Sequence, residues 1–212
     1  MDIAGFGFAC GRTTRHSQST DYWVGRVGSL RKFVLIRHAA PEIRPELSSR
    51  HWGLSEEGKL AASALGLRLM RFGLGELVAS PEPKALSTAN TIGGHLGLPV
   101  RVDDRLREHS RSAVGFLSKP NFENGICQIF SHPGEIVFGD ESADMVFSRI
   151  AGAIADAEAS NQGSVGFVTH GTAMTIYLSR VTGMDHPMEF WRSLAMPLAV
   201  VLQDRSIVET IK

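Results

Sequence analysis

The tetrad Phe33-Val34-Leu35-Ile36 is apolar at every position and runs directly into Arg37-His38. A half-exposed strand alternates apolar with polar residues. A short run with no polar residue must instead be covered on both faces, as in a parallel sheet between two layers of helices. Val165-Gly166-Phe167-Val168 has the same character and leads to a second histidine, His170; Leu77-Val78-Ala79 is a third short run. Longer segments with helical spacing separate these runs. The chain therefore predicts an α/β fold: a three-layer sandwich whose mostly parallel central sheet carries helices on both faces.

Ser55 is placed to cap a helix opening at Leu54-Ser55-Glu56-Glu57-Gly58. Its apolar stripe would be Leu60, Ala64, Leu67 and Met70 or Phe72, and it would end near Gly73. Ser80-Pro81-Glu82-Pro83 leads into a second helix from about Lys84 to Leu96, because proline is favoured in a first turn. Asp140 to Ala159 predicts a long amphipathic helix with Val146, Ile150 and Ile154 on one face, and a further helix runs from about Thr172 to Thr182. The segments 198–202 and 206–211 resemble a closing hairpin around Gln203-Asp204-Arg205. Residues 110–139 read as a long excursion without a regular element, of the kind that covers a site at strand ends. Its Phe116, Phe122 and Phe130 are either an apolar rim or loop core. Residues 1–30 show no apolar period and read as a flexible extension, leaving one domain over 31–212.

Composition excludes several classes. Lys plus Arg and Asp plus Glu both total 22, so nothing in the charge balance points to nucleic acid or an anionic membrane. Every apolar stretch is broken well before the roughly 18 residues of a membrane span. The apolar stretch from Ile3 to Cys10 lacks the basic lead and the length of an export signal. Cys10 and Cys127 lie far apart with no Cys-x-x-Cys pattern, which fits a reducing compartment and a cytoplasmic protein better than a disulfide scaffold. The remaining histidines show neither His-x-His nor His-Glu-x-x-His spacing, so no metal site is expected.

Three strands each deliver polar residues at the carboxyl end: Arg37-His38, Ser80 to Lys84, and His170-Gly171. Open α/β sheets bind ligands at that edge. Two histidines and several cations beside helix N-termini suit a tetrahedral anion such as phosphate.

Six short motifs in order then carry a resemblance. Arg37-His38-Ala39 looks like the Arg-His-Gly signature of the histidine phosphatases of the phosphoglycerate-mutase-like superfamily. Leu54-Ser55-Glu56-Glu57-Gly58 resembles their Leu-Thr-x-x-Gly helix start, and Ser80 to Ala89 is similar to Ser-Pro-x-x-Arg-Ala-x-x-Thr-Ala. Leu106-Arg107-Glu108, Gly139-Asp140-Glu141-Ser142 and Thr169-His170-Gly171 resemble the acid-bearing segment, the long-helix start and the second histidine motif. The resemblance spans about residues 32–185 and implies a cofactor-independent phosphatase acting on a small phosphorylated substrate. It implies His38 as nucleophile, Glu108 as general acid and base, and His170 as second phosphate donor. Arg37, Lys84, Gly171 and Arg44 would bind phosphate. Glu108 would need a raised pKa to act as an acid, and cations near His38 would keep that ring neutral. Lys84 stands where the family has arginine, offering a point charge in place of a planar fork. Arg44 takes the place of an asparagine, with Arg50 and Arg107 as other sources of a fork. Ala39 replaces glycine, which is tolerable where the backbone needs no positive φ. A mutase, a phosphohistidine protein phosphatase and a non-catalytic binding module are the competing functions. Chain length favours hydrolysis over the mutase.

Overall fold

The computed structural model describes residues 32–160 and 163–212. The expected flexible extension over residues 1–30, Cys10 included, lies outside the described residues. Six strands form one sheet: β1 (Lys32–Arg37), β2 (Leu74–Ala79), β3 (Val100–Val102), β4 (Ser164–Thr169), β5 (Leu198–Gln203) and β6 (Ser206–Ile211). Their order is β3-β2-β4-β1-β5-β6. The pairs β1–β4, β4–β2 and β2–β3 are parallel, and β5 is antiparallel to both its neighbours, so five of the six strands point one way.

The helices are α1 (Glu56–Leu69), α2 (Pro83–Leu96), α3 (Lys119–Ser131), α4 (Ala143–Ser160), α5 (Gly171–Thr182) and α6 (Pro187–Ser193). Both faces of β1 are covered, as its apolar run demands. Phe33 and Leu35 join the core built with α3 to α6, while Val34 and Ile36 join the core against α1 and α2. Each such fully buried aliphatic side chain is worth about 1.5–3 kcal/mol of transfer free energy.

This layering positions the site. The chain leaves β1 towards α1 on one face and leaves the adjacent β4 directly into α5 on the other. The carboxyl ends of β1 and β4, where Arg37 pairs with Thr169, are thus a topological switch point from which the two connections diverge.

Several expectations need correction. The buried stripe of α1 is Ala62, Leu65, Gly66 and Leu69, whereas Leu60, Ala64, Leu67 and Met70 face solvent. The reason is close packing. A side-chain carbon on Gly66 would lie 3.4 Å from the Ile92 Cα, so small residues, not bulky ones, mark the face that lies on α2. The excursion over 110–139 contains α3, disguised by Pro120, which sits harmlessly in its first turn, and by Gly125, which makes room for the Phe138 ring. Phe130 is core, Phe122 packs against Phe138 and Trp191, and Phe116 is exposed. β3 and α6 are too short to have signalled themselves. The reading of two unlinked thiols also rests on Cys10, which lies outside the described residues. Among the described residues no helix is long and apolar enough to cross a membrane.

Candidate active site

Two loops anchor the residues that follow β1. The Ser55 hydroxyl accepts the Gly58 N–H at 3.0 Å and so caps α1, while the Ser55 N–H donates to the Ala40 carbonyl at 3.1 Å. Gly58 has no side chain because the Ala40 carbonyl occupies that space. From α2, the buried Thr88 hydroxyl donates to the Lys84 carbonyl at 2.7 Å and accepts the Ala39 N–H at 3.0 Å. The Leu-Ser-x-x-Gly and Thr-Ala motifs are therefore braces for the loop behind the first histidine. Ala39 is fully buried without positive φ, which is why a methyl group is tolerated there.

His38 extends β1 by one hydrogen bond, its N–H donating to the Thr169 carbonyl at 3.0 Å. Its Nδ1 lies 2.8 Å from the Ala39 carbonyl, which can only accept. In the neutral ring Nδ1 therefore carries the proton and Nε2 keeps its lone pair. Burial holds His38 well below the ordinary histidine range; His170 comes next, and Lys84 and Arg37 add to the effect against the opposing Ala39 bond. The expectation named the cations, but desolvation is the larger cause.

His170 ends β4 and stands before the first turn of α5. Its ring centre is 5.1 Å from that of His38, at 63° between planes. The Ser80 hydroxyl meets its Nε2 at 2.8 Å, while Nδ1 is buried without a hydrogen-bond partner. Burial, then Lys84, Arg149 and Arg111, push its pKa down to about 3 against the pull of Glu108. Arg37 donates from Nη1 to the Leu194 carbonyl at 2.7 Å, and its Nε is also buried without a partner. Gly171 permits this, because a side-chain carbon there would sit 3.1 Å from that Nε.

Glu108 lies where the loop after β3 meets α5. Its carboxylate accepts N–H bonds from His109 at 2.9 Å, Ala173 at 2.9 Å and Thr172 at 3.2 Å, an anion at a helix N-terminus. Burial alone would raise its pKa. Arg111, His170 and the His109 and Ala173 N–H groups outweigh that, and the group is held far below the usual carboxylate range. The raised pKa required of an acid is not what these contacts produce, because the backbone donors stabilise the anion.

Lys84 is buried beside both histidines, with Nζ 2.6 Å from the Ser49 carbonyl and 2.6 Å from Glu82 Oε2. Arg44 is not part of this cluster: it is half exposed and pairs with Glu42 at 3.0 Å. Arg107 pairs with Asp104 at 3.0 Å and reaches Glu141 at 3.7 Å. The structure thus brings together Arg37, His38, Lys84, Glu108, His170 and Gly171, and leaves Arg44 apart.

Three residues escaped the sequence reading. Glu82 is one, visible only as an acid two places before a buried lysine. Arg111 acts on Glu108, His109 and His170 by charge and lies over the Phe122 ring at 5.2 Å. Arg149 donates to Glu141 at 2.7 Å and to the carbonyls of Arg105, Arg107 and Glu108, so it holds the segment carrying Glu108. Its signal was an arginine two helical turns beyond Glu141. Among the described residues no group of three His, Cys, Asp or Glu side chains is placed to hold a metal ion.

The sheet order, the switch point and the paired histidines define a phosphoglycerate-mutase-like α/β protein. The family description "histidine phosphatase superfamily (branch 1)" matches residues 33–203, and the chain belongs to that superfamily. A mycobacterial glucosyl-3-phosphoglycerate phosphatase is similar at 23% identity and a TM-score of 0.66, over 85% of this chain and 96% of that one. YhfR of Bacillus stearothermophilus is similar at 21% identity and 0.64, over 80% and 90%. A phosphoserine phosphatase mutant of Entamoeba histolytica, solved with phosphoserine, is similar at 15% identity and 0.65, over 81% and 89%. At these identities the likeness is one of fold. No curated protein sequence matches the chain.

Proposed function

We propose that this protein is a cofactor-independent phosphomonoester hydrolase that works through a phosphohistidine on His38. The observation that carries the reading is a buried, neutral His38 with its Nε2 lone pair free, facing His170 beside Arg37 and Lys84. In the first step Nε2 attacks phosphorus, the P–O ester bond breaks and the leaving oxygen takes a proton from Glu108. In the second, water attacks phosphorus, Glu108 takes its proton, the P–N bond breaks and phosphate leaves. His170, Arg37, Lys84 and the Gly171 N–H, which has no partner within its helix, hold the phosphoryl oxygens. The unpartnered Arg37 Nε and His170 Nδ1 support this, since buried polar groups without partners are rare outside functional sites. A phosphomonoester dianion beside Glu108 raises that group's proton affinity, so substrate binding itself loads the acid. Solved relatives bind phosphate, vanadate and phosphoserine, which favours a small phosphorylated substrate.

Two features favour a second reading, a phosphate-binding module without turnover: Lys84 is already paired with Glu82, and three backbone N–H groups stabilise Glu108 as an anion. Hydrolysis of p-nitrophenyl phosphate with chelator present separates the two. The enzyme reading expects turnover that survives chelation and is lost in His38→Ala. Phosphate binding with no hydrolysis of this or of natural phosphomonoesters would establish the binding module.

A further inference from the structure

The Glu82–Lys84 pair is buried at the centre of the cluster, with side chains 9% and 6% exposed. Glu82 uses both oxygens. Oε2 holds the Lys84 ammonium at 2.6 Å; Oε1 accepts the Glu108 N–H at 2.9 Å and lies 3.6 Å from His170 Nε2. Lys84 is held independently by the Ser49 carbonyl at 2.6 Å, which leaves its ammonium one further N–H to donate, and its charge disfavours protonation of both histidines. Any phosphoryl group on His38 therefore meets a lysine whose charge is already balanced.

We propose that Glu82 is a specificity-determining residue of the phosphoryl site, which sets its anion affinity by neutralising Lys84. The proposal rests on the phosphoryl-site reading above. Arg37, Lys84, Arg111 and Arg149 bring four positive charges to the cluster, and Glu82, Glu108 and Glu141 remove three. A bound dianion thus meets a weakly positive site, which lets the phosphate product leave and favours esters that bring a further contact through their alcohol part. A paired arginine would keep a fork for phosphate beyond its carboxylate partner. A paired lysine, a single point charge, does not, so the Lys84 departure and Glu82 act together.

Two opposed effects follow from removing the Glu82 charge. Lys84 loses a partner, which would weaken phosphate binding if Glu82 only positioned it. The site also gains a net positive charge, which strengthens binding. The second wins here, because Ser49 and the amide of a glutamine still hold Lys84. At an effective dielectric constant of about 20 and a few ångström, one unit charge is worth on the order of tenfold or more in affinity.

The test is Glu82→Gln, which preserves the acceptor for the Glu108 N–H. Dissociation constants for inorganic phosphate and orthovanadate are measured by calorimetry, independently of turnover, on wild type, Glu82→Gln, Lys84→Met and the double variant, each checked for native circular dichroism. The expected result is about tenfold tighter anion binding in Glu82→Gln, with the gain absent when Lys84 is also replaced. For p-nitrophenyl phosphate KM falls with the phosphate constant while kcat does not rise. Unchanged or weaker binding in a folded Glu82→Gln protein overturns the proposal and leaves the phosphatase reading standing. Wild type that neither binds phosphate nor turns over overturns both.

Discussion

The Thr88 hydroxyl shows how much of this site rests on single buried groups. It satisfies the Ala39 N–H directly behind His38, the proposed nucleophile. Thr88→Val keeps the shape and strands that N–H. A loss of about 1–3 kcal/mol in urea unfolding is expected, together with reduced turnover as the His38 loop loosens. At this scale the sequence was legible wherever a residue type has one use at a strand end. His38, His170 and Arg37 could be placed from a parallel-strand pattern alone. Arg44 could not, because a loop arginine seven residues past the strand is free to find a local acid, and Glu42 supplies one. Glu82 was missed for the complementary reason: an acid just before a proline reads as turn chemistry until the fold folds it back onto Lys84.

At the scale of elements, the site depends on how α4 grips the segment after β3. Glu141 and Arg149 form an ion pair with side chains 5% and 10% exposed, and Arg149 satisfies three carbonyls between Arg105 and Glu108. Arg149→Met leaves a buried carboxylate without its partner. The expected cost is about 3–5 kcal/mol in chemical denaturation, with loss of phosphatase activity as Glu108 leaves α5. Glu141→Gln, which keeps acceptors without the charge, is the milder counterpart. Element types were legible from apolar runs and from proline placement, but their faces were less so. The outward stripe of α1 and the hidden α3 share one cause: packing through Gly66 and Gly125 is decided by close approach, which a hydrophobic pattern does not register.

For the whole molecule, the two buried histidines make stability depend on pH. His170 falls from an ordinary 6.5 to about 3 on folding, and His38 moves in the same direction. The unfolded chain therefore binds more protons than the folded one between those values. The histidine contribution is complete above pH 6.5 and is lost as pH falls towards about 3; the depressed Glu108 adds a loss of the same sign below 4.5. Thermal melts are expected to show a falling midpoint from pH 6.5 downward, with a shallower slope in His170→Asn. The layered architecture and the family were readable in advance because six motifs had to be brought to one sheet edge by a single topology. The charge state of Glu108 was not, since it is set by N–H groups of a helix that meets it only in the fold. The proposed hydrolysis turns on covalent chemistry at one atom, Nε2 of His38. Acid-labile phosphate on the protein, captured by rapid quenching during p-nitrophenyl phosphate turnover and mapped by peptide mass spectrometry, should reside on His38 and be absent in His38→Ala. Turnover with no phosphoryl adduct, or an adduct on any other residue, would contradict the account.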